Sequence, residues 1–477
     1  MKTAPVLEKN VNFLKKTLRG SDILYRAFSV AKKPAVLVFL DGLTDKTALS
    51  KEVIGPLTAL RSFSGAETVK KTATALEWSK SSDLTGISGK ILEGEAALFV
   101  EGFPEAYLFS CKKYPVRAVE ESPTTVVVKG PREGFVEDLK TNLSLLRRRL
   151  HTGDLVIESR TVGKYSQNKV AVVYLSGVAE KKVADAVLKK IESVNVDGVP
   201  DSSYIAKYLS ERPVSLIKQV GQTEKPDVFS AKILEGRVGI FVDGSPIALT
   251  VPYLLVEDLQ NPEDYFNSVY RAVFSRLLRL GGLLISVLLP ALYVTAQLYM
   301  LQLIPFKLLV TVVNSIRGIP LSPSLEMLAV LLIFEVLNEA SVRMPKYVGM
   351  ALSVVGALVL GDTAVRAGLV STPAVLIMAL SGICLYTVPD LADVTSVLRL
   401  ASLIVAGTLG GYGLIISGAF LLVYLSDRES FGTPVLAPYA PRVKEDLKDG
   451  FVKTPFFTQE KRPRAIGSRN IRRLKTK

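Results

Sequence analysis

Apolar residues crowd the second half of the chain. Windows at 282–300, 328–337, 354–360, 373–386 and 403–424 lie close together, behind some 270 residues in which apolar and polar positions alternate over short distances. A spanning helix needs about 20 mostly apolar residues, so the pattern predicts an all-α polytopic transmembrane domain behind a water-soluble α+β head. Five spans are expected, at about 281–301, 322–342, 347–369, 372–389 and 398–425. Arg271, Arg276 and Arg279 precede the first span and a basic tail follows the last. Basic flanks stay on the cytoplasmic side, which demands an even number of crossings. Five is odd, so one segment should fail to cross. The stretch 303–316 is short and carries Pro305, Lys307 and Asn314, as a half-helix or interfacial segment would. Either it pairs with another partial segment or one of the five is re-entrant.

The head contains an internal repeat. Ile91-Leu92-Glu93-Gly94 leads into Leu98-Phe99-Val100-Glu101-Gly102, as Ile233-Leu234-Glu235-Gly236 leads into Ile240-Phe241-Val242-Asp243-Gly244. Each copy reads as a β-hairpin with alternating apolar residues beside an acid-Gly turn. A second pair, 35–40 before Asp41-Gly42 and 170–175 before Ser176-Gly177, repeats at a similar offset. Two related α/β subdomains are therefore expected, at 1–129 and 130–270, followed by a transmembrane domain at 271–427 and a basic tail at 428–477. Helical spacing at 134–150 and 178–194 predicts two amphipathic helices that cover a sheet.

The net charge of +14 gathers partly in the tail, where it most simply holds a terminus beside anionic lipid on the cytoplasmic side. Its basic residues are not interleaved with stacking aromatics, which argues against nucleic acid. Met1–Gly20 lacks the apolar core of a signal peptide, so the head is expected in the cytosol. Cys111 and Cys384 sit in different regions and imply no disulfide framework, and one histidine, His151, cannot build a Cys/His metal site. Gly86-Ile87-Ser88-Gly89-Lys90 fails the P-loop spacing, and Pro131 and the glycine spacing spoil 130–134 as a nucleotide turn. No enzyme signal and no cofactor site is expected. Trp78 reads as core packing and His151 as a surface residue at a helix end.

Charged residues inside hydrocarbon are costly and mark candidate sites. Glu335, Glu339 and Arg343 follow steps of four along one helix side that Pro345 ends. The stripe could face an aqueous ion path, or Glu339 and Arg343 could simply pair; Glu335 lies deeper, with no basic partner in its own helix. Asp362 and Arg366 share that spacing and read first as an intrahelical pair, while standing with Glu335, Glu339 and Arg343 as candidates for the ion path or its gating. Gly407, Gly411 and Gly413 predict close helix packing.

Phe39–Asp45, Gly130–Glu137 continuing to Arg147-Arg148-Arg149-Leu150, Thr223–Asp227 and Glu263-Asp264-Tyr265 resemble, in order, the A subunit of GerA-type spore germination receptors. Leu289–Val294, Ile304-Pro305, Phe334-Glu335, Arg343-Met344-Pro345, Val355–Gly361 and Ser430-Phe431-Gly432 continue the resemblance across nearly the whole chain. It implies a multi-pass protein of the spore inner membrane with head and tail on the core side, assembled with B and C subunits. It further implies a homo-oligomer, with a pentamer in view, forming a ligand-gated ion channel that triggers germination in response to nutrients. Asn338, Ser341 and Lys225 depart from the family pattern and bear on ion preference and gating. The alternatives are a non-conducting scaffold that relays the signal and, third, a secondary transporter, which would favour an internal repeat in the membrane half.

Overall fold

The computed structural model describes residues 1–75, 77–113, 129–212, 214–343 and 359–473. The chain divides into two compact units. The first is Met1–Leu254 with Glu429–Asp446 and Pro455–Lys477, and the second is Leu255–Arg428 with Leu447–Thr454. This partition differs from the four consecutive segments read from the sequence: the head is one unit, and the tail contributes to both.

The head unit holds two five-stranded antiparallel sheets. The first is built from β1 (Ile23–Val30), β2 (Lys33–Leu40), β3 (Trp78–Ser81), β4 (Ala96–Val100) and β5 (Ala106–Phe109), in the order β1-β2-β4-β5-β3. The second, from β6 (Leu155–Val162), β7 (Asn168–Leu175), β8 (Gly221–Thr223), β9 (Val238–Val242) and β10 (Ala248–Val251), runs β6-β7-β9-β10-β8. The two orders are the same, as the internal repeat requires. β4 and β9 are buried along their whole length, because each sheet carries apolar packing on both faces, and a strand covered on both sides reads as a continuous apolar run.

One sequence expectation needs correction. Ile91-Leu92 and Ile233-Leu234 do not form hairpin arms; they end helices α2 (Leu84–Leu92) and α5 (Pro226–Glu235), and Gly94 and Gly236 turn the chain with φ of +91° and +104°. A left-handed residue after a helix is glycine's usual place. The acid-Gly pairs 101–102 and 243–244 do connect paired strands, β4 with β5 and β9 with β10. Between the repeats, α3 (Leu139–Arg149) is capped by Asp138, which accepts from Thr141 N at 2.8 Å, and α4 (Lys181–Glu192) buries Val183, Val187 and Ile191. Trp78 lies in β3 against the first core, and His151 is exposed beyond α3.

The described tail is folded rather than a free basic arm. Ser430 Oγ accepts from Tyr253 N at 3.0 Å and donates to Gln219 O at 2.6 Å, Arg462 donates to Leu234 O, and Arg469 N donates to Val178 O.

The second unit is helical: α6 (Val269–Leu298), α7 (Phe306–Ile316), α8 (Pro323–Arg343), α9 (Thr372–Leu385) and α10 (Ala392–Ser426). Among the described residues two helices are long and apolar enough to cross a membrane, Val269–Leu298 and the Pro389–Ser426 region containing α10. α8 has the length, but Glu326, Glu335, Glu339 and Arg343 interrupt it. α9, with 14 residues, spans about 21 Å and α7, with 11, about 16 Å, against a hydrocarbon thickness of about 30 Å. Four of the five expected spans thus coincide with helices, of which two meet the length and apolarity of a full crossing. The fifth, 347–369, lies mostly outside the described residues, which resume with a short π-helical turn at Val359–Thr363. Pro345 lies outside them as well.

Candidate functional site

The helical unit is held by a polar thread that begins at a proline. Pro290, inside α6, has no N–H to offer the carbonyl of Ser286 one turn earlier. An orphan carbonyl in an apolar setting must find another donor, and Ser381 Oγ of α9 donates to it at 2.8 Å. Arg399 of α10, 3% exposed, then donates through Nη1 to Ser381 Oγ at 3.1 Å and through Nη2 to Glu335 Oε1 of α8 at 2.6 Å. One guanidinium therefore links α8, α9 and α10, and through Ser381 it reaches α6. Ser402 Oγ, one turn beyond Arg399, donates to Val287 O at 3.0 Å.

Glu335 is therefore not an unpartnered carboxylate facing water. No base of its own helix pairs with it, and α10 supplies one. Spacing along a single helix gave no sign of Arg399, which pairs across 64 positions of sequence. On the same level, Tyr386 OH of α9 donates to Asn338 Oδ1 of α8, so a position that departs from the family pattern serves as a tie between helices.

The remaining charged positions pair locally. Arg343 Nε donates to Glu339 Oε1 at 2.7 Å, and Arg366 Nε to Asp362 Oδ1 at 2.8 Å. Unlike the Arg399 pair, both lie on the unit's surface, with side chains 65% and 77% exposed at Glu339 and Arg343 and 54% and 78% at Asp362 and Arg366. Glu335 shares neither pair's arginine, its ion pair being with Arg399.

The glycine stripe divides. A Cβ on Gly407 would meet Ser324 Cβ of α8 at 2.9 Å, and one on Gly411 would meet Met300 and Thr295 at 3.2 and 3.3 Å, so both pack against other segments. Gly413 does not: its crowding comes from Leu409 and Val405 of its own helix, across a kink at Gly410, where φ is +60° and ψ −151°. The Tyr299 hydroxyl lies 3.1 Å from the carbonyls of both Gly407 and Thr408 and donates where the ladder is broken.

At the unit's polar end, Asp264 accepts from Arg279 at 2.7 and 2.9 Å and from Arg276 Nε at 3.1 Å, while Arg276 Nη1 donates to Asp449 Oδ1 at 3.0 Å. Lys453 Nζ donates to the Asp264 carbonyl. Burial alone would raise the Asp264 pKa; the two arginines and the Asn261 amide outweigh it and hold the carboxyl below the usual carboxylate range. Two of the three arginines of the basic flank are thus neutralised from within, and Arg271 alone is exposed.

The family model for the Bacillus/Clostridium GerA spore germination protein matches residues 12–465. The chain belongs to the GerA family of spore germination proteins. Spore germination protein KA of Bacillus subtilis (strain 168) is 32% identical over 478 residues, covering 97% of this chain and 87% of that protein. Uncharacterized membrane protein YfkQ of the same organism is 32% identical over 467 residues, covering 96% and 91%. The crystal structure of the N-terminal domain of the A subunit of the Bacillus megaterium spore germinant receptor GerK3 aligns with 54% of this chain and 98% of that domain, at 24% identity and a TM-score of 0.42. For this GerA-family chain, the polar features of the helical unit fall into three groups: a buried interhelical tie at Arg399, two exposed ion pairs, and a neutralised basic collar.

Proposed function

We propose that this chain is the A-type subunit of a nutrient germinant receptor, seated in the spore inner membrane with B- and C-type partners, and that several copies assemble around an ion path whose opening triggers germination. Membership of the GerA family supports the receptor role. The conducting role is supported by one observation: Glu339–Arg343 and Asp362–Arg366 are exposed on a unit that also turns large apolar side chains outward, among them Leu332, Val336, Ile415 and Phe420. Ionised side chains turned to lipid are costly. Assembly of copies that turn these pairs toward water removes the cost.

In this scheme the Arg399–Glu335–Ser381 tie holds the helices of each copy together in one state, and a partner's ligand-bound form favours the other only to the extent that it binds that form more tightly. Because each exposed acid carries its own base, the path is close to neutral. Arg343→Gln should therefore unmask Glu339 and raise preference for cations, whereas Glu339→Gln should lower it.

Currents from the purified chain in planar bilayers, alone and with a B-type partner, test the proposal. Partner-dependent conductance with the two opposite selectivity shifts supports it. Silence in both preparations, with the complex intact, leaves the non-conducting scaffold, a role that the internal neutralisation of each pair also fits.

A further inference from the structure

The first repeat of the head carries a cavity beside an unmatched cation. The space, about 300 Å³ and open to solvent, lies at the edge strand of the first sheet. Its apolar lining is Leu24 of β1, Phe39 of β2, and Leu49 and Ile54 of the helical segment 46–58. Leu49 and Ile54 are the two ends of a π-helical turn, a geometry that recurs at functional sites. Arg26 and Lys46 supply the charge. All of these residues belong to the first repeat, so the space is not the gap between the repeats. Lys46 is already paired, with Asp41 Oδ1 at 2.8 Å. Arg26 is exposed and makes no hydrogen bond or ion pair among the described residues.

The second repeat shows the same place with its charges matched. β1 pairs with β2 in the register that β6 keeps with β7, so Arg26 corresponds to Glu158 and Phe39 to Tyr174. There the Tyr174 hydroxyl donates to Glu158 Oε1 at 2.9 Å, and Arg160 donates to Glu158 at 3.3 Å and to Glu192 at 2.8 Å. In the first repeat Phe39 lacks the hydroxyl, and a base stands where the acid was. We infer that the cavity binds a small monocarboxylic acid with an apolar body, the carboxylate on the Arg26 guanidinium and the body against Leu24, Phe39, Leu49 and Ile54. A guanidinium fork fits a carboxylate, and one unmatched cation balances one negative charge. A sugar phosphate would press hydroxyls without partners against leucine and phenylalanine, at a desolvation cost. The volume lies at the small end of the range of about 300–1,000 Å³ for small-molecule sites, which suits a compact acid. The site goes beyond the proposed function, because it lies in the head and requires neither conduction nor assembly.

The test is isothermal titration of the purified full-length chain, in matched detergent, with hexanoate, cyclohexanecarboxylate and benzoate, each compared with the corresponding neutral alcohol. At least one acid should saturate a single site per chain and bind about tenfold or more tightly than its alcohol. Arg26→Gln should bring the acid down to the level of the alcohol and leave the alcohol unchanged. Arg26→Lys, which keeps the charge and loses the fork, should fall between. Ile54→Ser should weaken acid and alcohol alike; should it fail to fold, the changes at the exposed Arg26 carry the test. Phe39→Tyr with Arg26→Glu copies the second repeat and should abolish acid binding with Tm retained. A wild-type chain that saturates with none of the acids overturns the site and leaves Arg26 only to guard an open strand edge. Equal affinity for acid and alcohol overturns it as well, as does acid binding that survives undiminished in Arg26→Gln.

Discussion

The side chains that matter most to each unit are arginines whose partners lie far away in sequence. Arg147, read from the sequence only as part of a basic helix end, is 2% exposed and fits Asp22 with Nε at 2.7 Å and Nη2 at 2.9 Å, joining the first repeat to the second. It also donates to the carbonyls of Thr152 and Leu155. Removing one partner strands the other, at a cost of about 3–5 kcal/mol. Asp22→Ala should therefore destabilise the head by that order, and the paired change Asp22→Leu with Arg147→Met should recover most of it. Trp78 is the sole tryptophan and packs in the first sheet, so its emission during urea unfolding of the full chain reports both outcomes. Gly410 offers a second residue-scale check. Its φ and ψ lie where essentially only glycine resides, and an added Cβ would come within 2.7 Å of the Tyr299 ring. Gly410→Ala should cost at least about 1–3 kcal/mol in backbone strain alone, read as a lowered Tm, whereas Gly418→Ala, with nothing within 4 Å, should be nearly silent.

At the level of elements, legibility followed the range of the interaction. The repeated strands, the two amphipathic helices of the head and the apolar helices could be read directly because periodicity is local. The Ile-Leu-Glu-Gly motif misled for the same reason: a short apolar pair before a glycine fits a strand end or a helix end equally well, and only the preceding turn of α2 and α5 decides. The partner of Glu335 was illegible because Arg399 approaches from another helix. The role of the tail was hidden by its charge. Residues 447–454 pack with the helical unit although the segments before and after them belong to the head, and Asp449 and Lys453 attach this strap to Arg276 and to the Asp264 carbonyl. Asp449→Lys places like charge against Arg276 and should free the strap, giving faster amide exchange at 447–454 while strands β4 and β9 stay protected. The sign of the acid response also follows. With its pKa lowered, Asp264 supplies stability above its unfolded value and loses it as pH falls through the lower folded value. The Asp264–Arg276–Arg279 cluster should therefore keep its contribution throughout neutral and mildly acidic solution and lose it only as pH falls below the ordinary carboxylate range, read as an acid-induced drop in Tm.

For the whole molecule, the question is which surface of the helical unit meets water and which meets lipid. Large apolar side chains stand outward along α10, including Ile415, Phe420, Leu422 and Val423, as lipid or a second copy would require. Glu339, Arg343, Asp362 and Arg366 stand outward too, and an isolated copy in a bilayer cannot satisfy both sets without thinning the membrane or admitting water. Self-association resolves the conflict if the charged positions share one water-filled side. In a background with Cys111 and Cys384 replaced by Ala, single cysteines at Glu339, Asp362, Ile415 and Phe420 distinguish the arrangements when the assembled protein in liposomes meets a membrane-impermeant thiol reagent. Positions 339 and 362 should react and 415 and 420 should stay protected. Reaction at 339 should slow when a larger reagent is used, because a path along an assembly axis has a limiting width. Equal protection at all four positions would mean that the ion pairs are sealed between helices of neighbouring copies, and the assembly would then transmit a signal without a wet passage. Equal reaction at all four would mean that the apolar face of α10 is not lipid-covered, and the helical unit would have to be redrawn with fewer crossings.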